Sequence, residues 1–258
     1  MKSRLGVWGA GVRQALADGV AFLEHWRERK APAPTADELE RGALWIFPGI
    51  NGGDWSLVEV RRGLRDGGVD LAMHTVRWGG WTSPFTHLTH LEGNRRHCVE
   101  TALCIKQYHQ KYPEAPIHLL GYSGGAGLAL LTAEALANDV PVENIVLVHA
   151  AVSPTWDMRR ALGHVRGRLV NVCARSDWFM LGLGTAVFGT IDRKHTASAG
   201  KNGFDMGRAV ADEGLRGRVV QRAWEPEMLA VGHLGSHFTS LLYHYTRRFI
   251  AGYFNGRG

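Results

Sequence analysis

Gly121-Tyr122-Ser123-Gly124-Gly125 is a G-x-S-x-G pattern set between a short apolar run, Ile117 to Leu120, and an Ala- and Leu-rich stretch, Ala126 to Leu136. A chain that reverses from strand to helix within a few atoms of a serine needs small residues two positions to either side, and Gly121 and Gly125 supply them. Such a turn holds the hydroxyl clear of the backbone and points the next amide, that of Gly124, at a developing oxyanion. A serine hydroxyl is a poor nucleophile at neutral pH, so it also needs a base, a group to orient the base, and a second oxyanion donor. Asp177, just beyond the apolar run Arg168 to Cys173, is read as the orienting carboxylate, with Asp157 in reserve. The base is sought in Gly232-His233-Leu234-Gly235-Ser236-His237-Phe238, His237 first and His233 as the alternative. The second donor is assigned to the N–H of Ile50, where Gly49 lets the backbone approach.

These residues can meet only if strand ends bring them together. Ala43 to Phe47, Val69 to Val76, Ile117 to Leu120, Asn144 to His149, Arg168 to Cys173 and Val219 to Ala223 read as strands. Helical spacing over Ser56 to Leu64, Arg95 to Tyr112, Ala126 to Leu136 and Ser236 to Phe254 separates or follows them. The alternation predicts an α/β fold, a doubly wound, mostly parallel sheet of about six strands with helices on both faces, so the carboxyl ends of the strands share one edge. Residues 36–258 are read as one domain, with a cap-like excursion at about 178–212 where periodicity fails. Residues 1–35 are read as an amphipathic helix and a Pro-containing linker. In that helix Trp8, Val12, Leu16, Val20, Leu23 and Trp26 recur at three- and four-residue steps. Its polar face carries both signs of charge, so packing on the domain is the reading adopted, with peripheral membrane contact through this helix as the other.

The 258 residues, 45% hydrophobic and 21% charged, suit a single globular domain, and no apolar run is long enough to cross a bilayer. Arg13, Gln14 and Asp18 interrupt the first apolar stretch, so it is read as retained rather than cleaved. Three cysteines give no disulfide framework, and a reducing cytoplasm is the expected compartment. The net charge of +6 is scattered among acids, which argues for a solvated basic surface rather than a nucleic-acid partner. No phosphate-cradling loop is present, and His87, His90 and His97 have no acidic or cysteine partner at a metal-binding spacing, so no cofactor and no metal are expected. Oligomeric state is not legible.

Phe47-Pro48-Gly49-Ile50-Asn51-Gly52, the serine turn, Ser176-Asp177 and Gly235-Ser236-His237 together resemble the α/β-hydrolases, in an order that runs from about Ala43 to the end of the chain. The resemblance implies Ser123 as nucleophile, His237 as base and Asp177 as its partner, working through an acyl-enzyme that water hydrolyses. Pro48 stands where the commonest members carry a histidine before the oxyanion glycine. The expected substrate is a small-molecule carboxylic ester, its acyl pocket lined by Trp78, Trp81, Trp178 and Phe179; an amidase or peptidase, or a non-catalytic binding module on the same fold, are the alternatives.

Overall fold

The computed structural model describes residues 4–25, 30–50, 52–79, 90–177 and 189–255. In chain order the main elements are α1 (Arg4–Glu24), α2 (Ala36–Arg41), β1 (Ala43–Phe47), α3 (Val58–Asp66), β2 (Ala72–Thr75), α4 (Leu91–Lys111), β3 (Ile117–Tyr122), α5 (Gly124–Ala135), β4 (Asn144–Val148), α6 (Arg159–Gly163), β5 (Leu169–Cys173) and β6 (Val219–Ala223). The strands form one six-stranded sheet in the order β2-β1-β3-β4-β5-β6, every neighbouring pair parallel. This is the α/β architecture that the alternation predicts.

Alternate side chains of each strand enter different cores. Along β1, Leu44 and Ile46 join Val60 and Leu64 of α3 and Ile250 and Phe254 near the chain's end. Ala43 and Phe47 join Ala102 and Ile105 of α4 and Leu128 and Ala129 of α5 on the opposite face. A sheet buried on both faces needs near-continuous apolar strands, which is why β3, β4 and β5 carry so few polar residues.

His118 of β3 is an exception. It is buried, edge-on to Phe254 at 5.5 Å between ring centroids, and burial pushes its pKa down from 6.5 to about 4. A histidine held neutral contributes stability that is fully present above its unfolded pKa and is lost as pH falls toward the folded value. Urea denaturation between pH 7.5 and 4 should therefore reveal a loss to which His118 contributes about 3 kcal/mol, on the scale of 1.36 kcal/mol per pKa unit. His118→Gln should flatten that limb, and a slope identical to wild type would exclude this origin.

Helix α5 is buried along ten consecutive residues, and small side chains let it lie against the strands. A Cβ on Gly125 would fall 2.2 Å from the Phe47 carbonyl oxygen and 2.3 Å from that of Pro48. Only glycine lets the start of α5 sit on the end of β1. Gly125→Ala must move backbone rather than a side chain, and a loss of about 3 kcal/mol, the upper part of the overpacking range, is expected in denaturant titration.

Two of the expected helices depart from the sequence reading. The single closing helix expected over Ser236 to Phe254 is broken into a 3₁₀ turn at Phe238–Leu241, a break at Leu242, and short α, π and 3₁₀ turns from Tyr243–Tyr245 to Ala251–Phe254. Tight contact with α3 accompanies this: a Cβ on Gly63 would lie 2.6 Å from the Tyr243 carbonyl oxygen. Helix α1 does pack on the domain, but of its apolar stripe only the Trp8 ring, 6.4 Å from that of Trp224, is seen to reach it among the described residues. Gly11 and Asp18 are buried, whereas Trp8, Val12, Leu16, Val20 and Leu23 are exposed. Among the described residues no helix is long and apolar enough to cross a membrane.

Candidate active site

At the end of β3 the backbone turns at Ser123 with φ of +55° and ψ of −122°, a conformation that non-glycine residues rarely hold. It is over-determined by its surroundings. The Ser123 N–H donates to the Val148 carbonyl at 3.0 Å, and the Ser123 carbonyl accepts from the N–H of Ala126 at 3.1 Å and of Ala151 at 3.0 Å. A Cβ on Gly121 would come 2.5 Å from the Ala126 Cα, so the small residue two positions before the serine is required by the helix that follows. Helix α5 begins at Gly124, and its first amides have no partner within the helix.

Asp177 lies four residues beyond β5, its N–H donating to the Ala174 carbonyl at 3.1 Å in a turn. His237 belongs to the segment after β6, and several bonds fix it there. The Tyr122 hydroxyl, one residue before the serine, donates to the His237 carbonyl at 2.5 Å, and the Ser240 hydroxyl donates to the same oxygen at 2.7 Å. The Ser176 hydroxyl donates to the Gly235 carbonyl at 2.8 Å, tying the acid's turn to the base's turn. Gly235 has a φ of +73°, and a Cβ there would meet the Ser176 oxygen at 2.3 Å, so this position has reason to be glycine on both counts.

The three side chains converge. His237 Nε2 is 3.0 Å from the Ser123 hydroxyl, and His237 Nδ1 is 2.8 Å from Asp177 Oδ2. All three residues are buried. A carboxylate oxygen only accepts, so Nδ1 carries the hydrogen and Nε2 is left as the acceptor that faces the serine O–H. Of the two histidines considered from sequence, His233 is not in reach of the serine. Its Nδ1 pairs with the Thr239 hydroxyl at 3.0 Å, its ring packs on Tyr245 at 4.2 Å, and burial holds it neutral by pushing its pKa well below the usual range. Asp157 is also elsewhere, half exposed and bonded to Arg159.

One member of the cluster was not anticipated. His149, the residue after β4, is completely buried, and its Nδ1 is 2.8 Å from the same Asp177 Oδ2 that His237 approaches. Its φ is +50°, and its Nε2 is buried with no hydrogen-bond partner among the described residues. Burial, the largest influence, pushes the His149 pKa down, and the nearby His237 adds to this against the pull of Asp177. For Asp177, burial pushes upward, but the N–H groups of His149 and His237 outweigh it and hold the carboxyl below its ordinary range. The sequence signal for His149 is a histidine closing an otherwise apolar strand at the sheet's carboxyl edge.

His149, Asp177 and His237 also offer ligand atoms within 4.8 Å of one another, close enough to consider a metal. Separations of 2.8 Å between nitrogen and oxygen are hydrogen-bond lengths, however. Ligands held 2.0–2.1 Å from a tetrahedral zinc stand about 3.3 Å apart. The arrangement fits two N–H donors on one carboxylate better than a metal's ligand shell. Of the other histidines considered for a metal, His90 sits exposed before α4 and His87 lies outside the described residues.

Around the serine, Trp78 is buried and its indole N–H donates to the Pro48 carbonyl at 2.8 Å. A Cβ on Gly124 would lie 3.1 Å from the Trp78 ring and 3.2 Å from Ile50 Cγ1, which puts both residues against the first residue of α5. A Cβ on Gly49 would lie 3.4 Å from the Ser123 Cβ, so the loop after β1 runs past the serine. Trp81, Trp178 and Phe179 lie outside the described residues. Residues 189–200, the described start of the excursion, are tied to the loop after β4: Ile191 N–H donates to Ala151 and Ala199 N–H to Val152.

No family model matches the chain, and no curated protein does. A solved structure described as RedJ with a PEG molecule bound in the active site is similar to it at 14% identity, covering 80% of this chain and 93% of that one, with a TM-score of 0.40.

Proposed function

We propose that the chain is a serine hydrolase of the α/β-hydrolase type that cleaves a carboxylic ester. The observation that carries this reading is the continuous run from the Ser123 hydroxyl through His237 to Asp177, at 3.0 Å and 2.8 Å. Each role follows from chemistry the side chains already have. His237 Nε2 takes the proton as the Ser123 oxygen attacks the ester carbonyl, and Asp177 stabilises the imidazolium that forms. The tetrahedral oxyanion is held by the amides of Gly124 and Ile50, and its collapse expels the alcohol with the proton returned from His237. Water then attacks the acyl-enzyme by the same route, releasing the acid. The strained φ at Ser123 supports the reading as well, since such strain persists where a reactive group must be held in one orientation.

Two imidazoles on one carboxylate oxygen give Asp177 a second anchor. His149 acts as a positioning residue: it contacts the carboxylate and not the ester, and it fixes where Oδ2 stands relative to His237. The reading is tested by incubating purified protein with a fluorophosphonate and mapping the adduct by peptide mass spectrometry, alongside hydrolysis of p-nitrophenyl esters of graded acyl length. An adduct on Ser123 that depends on His237 and not on His233 is expected. Folded protein that forms no adduct and hydrolyses none of the esters would overturn it.

A further inference from the structure

The exposed side of α1 has the form of an interfacial membrane anchor. Its packing side is a line of small and polar residues. A Cβ on Gly11 would lie 2.6 Å from the Leu229 carbonyl oxygen, and one on Gly232 would lie 3.0 Å from the Ala15 nitrogen. Asp18 is buried and bonded to the His244 ring at 2.7 Å, and His25, one residue past the helix, pairs with Glu59 of α3 at 2.9 Å. Val12 and Leu16 each follow a packing residue by one position, about 100° around the helix, so the stripe from Val12 onward is turned away from the domain, while the Trp8 ring at its start lies 6.4 Å from that of Trp224 and keeps its other side exposed. Trp8, Val12, Leu16, Val20 and Leu23 are 41–70% exposed and form a line over almost the whole helix. Scattered apolar residues on a surface need no explanation, but a contiguous line of five on one helix marks an interaction face.

Charge selects the occupant. From residue 1 to 30 the sequence carries Lys2, Arg4, Arg13, Arg27, Arg29 and Lys30 against Asp18, Glu24 and Glu28. Burial of Asp18 against His244 removes it from the surface, leaving Glu24 as the exposed acid among the described residues of α1. In sequence the N-terminal end carries Lys2 and Arg4 with no acid, and the C-terminal end carries Arg27, Arg29 and Lys30 against Glu24 and Glu28, so both ends have an excess of base. Two copies paired through this stripe, parallel or antiparallel, would bring basic ends onto basic ends. An anionic bilayer surface meets the apolar line and both basic ends at once.

We infer that α1 lies in the surface of an anionic membrane through Trp8, Val12, Leu16, Val20 and Leu23. The inference concerns binding only and stands apart from the hydrolase reading. The test is co-sedimentation of the full chain with vesicles of phosphatidylglycerol and phosphatidylcholine in equal parts, and with vesicles of phosphatidylcholine alone. Binding to the anionic vesicles is expected, weakened by salt and weaker on phosphatidylcholine. Leu16→Glu with Leu23→Glu, both at highly exposed positions, should reduce binding at least about tenfold with an unchanged melting curve. A readout independent of that variant is quenching of tryptophan emission by brominated lipid, expected in wild type and diminished in Trp8→Phe. Folded wild type that neither sediments with anionic vesicles nor is quenched would overturn the inference. So would a wild-type dimer in ultracentrifugation that the double variant dissociates and that leaves the vesicles unbound, since a second copy would then own this face.

Discussion

Ser123→Ala is expected to lower kcat for ester hydrolysis by about 10⁶-fold and to abolish covalent labelling by a fluorophosphonate. The substitution leaves the turn itself in place. Alanine keeps the Cβ and the backbone, and the bonds between Ser123 and Val148, Ala126 and Ala151 all involve main-chain atoms, so the turn and its φ of +55° should persist. Thermal stability should change little while chemistry disappears. His237→Ala should cost nearly as much, and the double variant should be no worse than either alone, because base and nucleophile act as one device. His233→Ala should leave labelling on Ser123, since that ring bonds Thr239 and not the serine. The measurement is kcat on a chromogenic ester with the melting curve of each variant recorded beside it. Hydrolysis by Ser123→Ala within tenfold of wild type would sink the proposed role of this serine.

The parts of this site that could be read from sequence are those fixed by local rules. The serine turn is legible because Gly121 and Gly125 face backbone atoms within 2.5 Å of where a Cβ would stand, and such crowding leaves a sequence mark. Strand positions are legible because a sheet buried on both faces demands apolar runs, and β4, Asn144–Val148, and β5, Leu169–Cys173, each fall within one residue of their expected limits. What distance in sequence decides is less visible. His149 becomes a partner of Asp177 only because β4 and β5 are neighbours in register, a pairing of residues 28 positions apart that no local pattern reports. The choice between His237 and His233 turned on which ring the bonds from Tyr122 and Ser240 hold toward the serine. Helix α2 was missed despite its mark, the capping box of Thr35 and Glu38. For α1 the stripe was legible, but its direction was not: a hydrophobic pattern says that a face wants cover, and small residues such as Gly11 and Ala15 can dock a helix more closely than large ones.

Asp177→Asn should lower kcat/KM about 10⁴-fold, the scale set by loss of the charge and of the imposed tautomer in such an arrangement. His149 separates these two effects. In the wild type Oδ2 accepts from two Nδ1–H groups, so an amide oxygen in its place could still accept both while carrying no charge. His149→Asn retains an N–H donor near the position of Nδ1 and tolerates the left-handed φ of +50°, whereas His149→Leu has neither property. His149→Leu should therefore lower kcat about 10–100-fold, the cost of misplacing a catalytic group by roughly 1 Å, with KM little changed, and His149→Asn should recover most of it. Stability gives an independent readout. Burial holds His149 neutral, so the stability it confers is present above its unfolded pKa of 6.5 and is lost as pH falls below it. Asp177, with Asp177–His149 and Asp177–His237 bonds intact, confers stability above the carboxylate's unfolded pKa near 3.8 that is lost only in stronger acid. Asn at 149 removes the first of these limbs and keeps the second, so denaturant titration at pH 7.5 and pH 5 should show a smaller acid loss in His149→Asn than in wild type. If both His149 variants matched wild type in kcat while differing in stability, His149 would be a packing residue and Asp177 would hold His237 unaided.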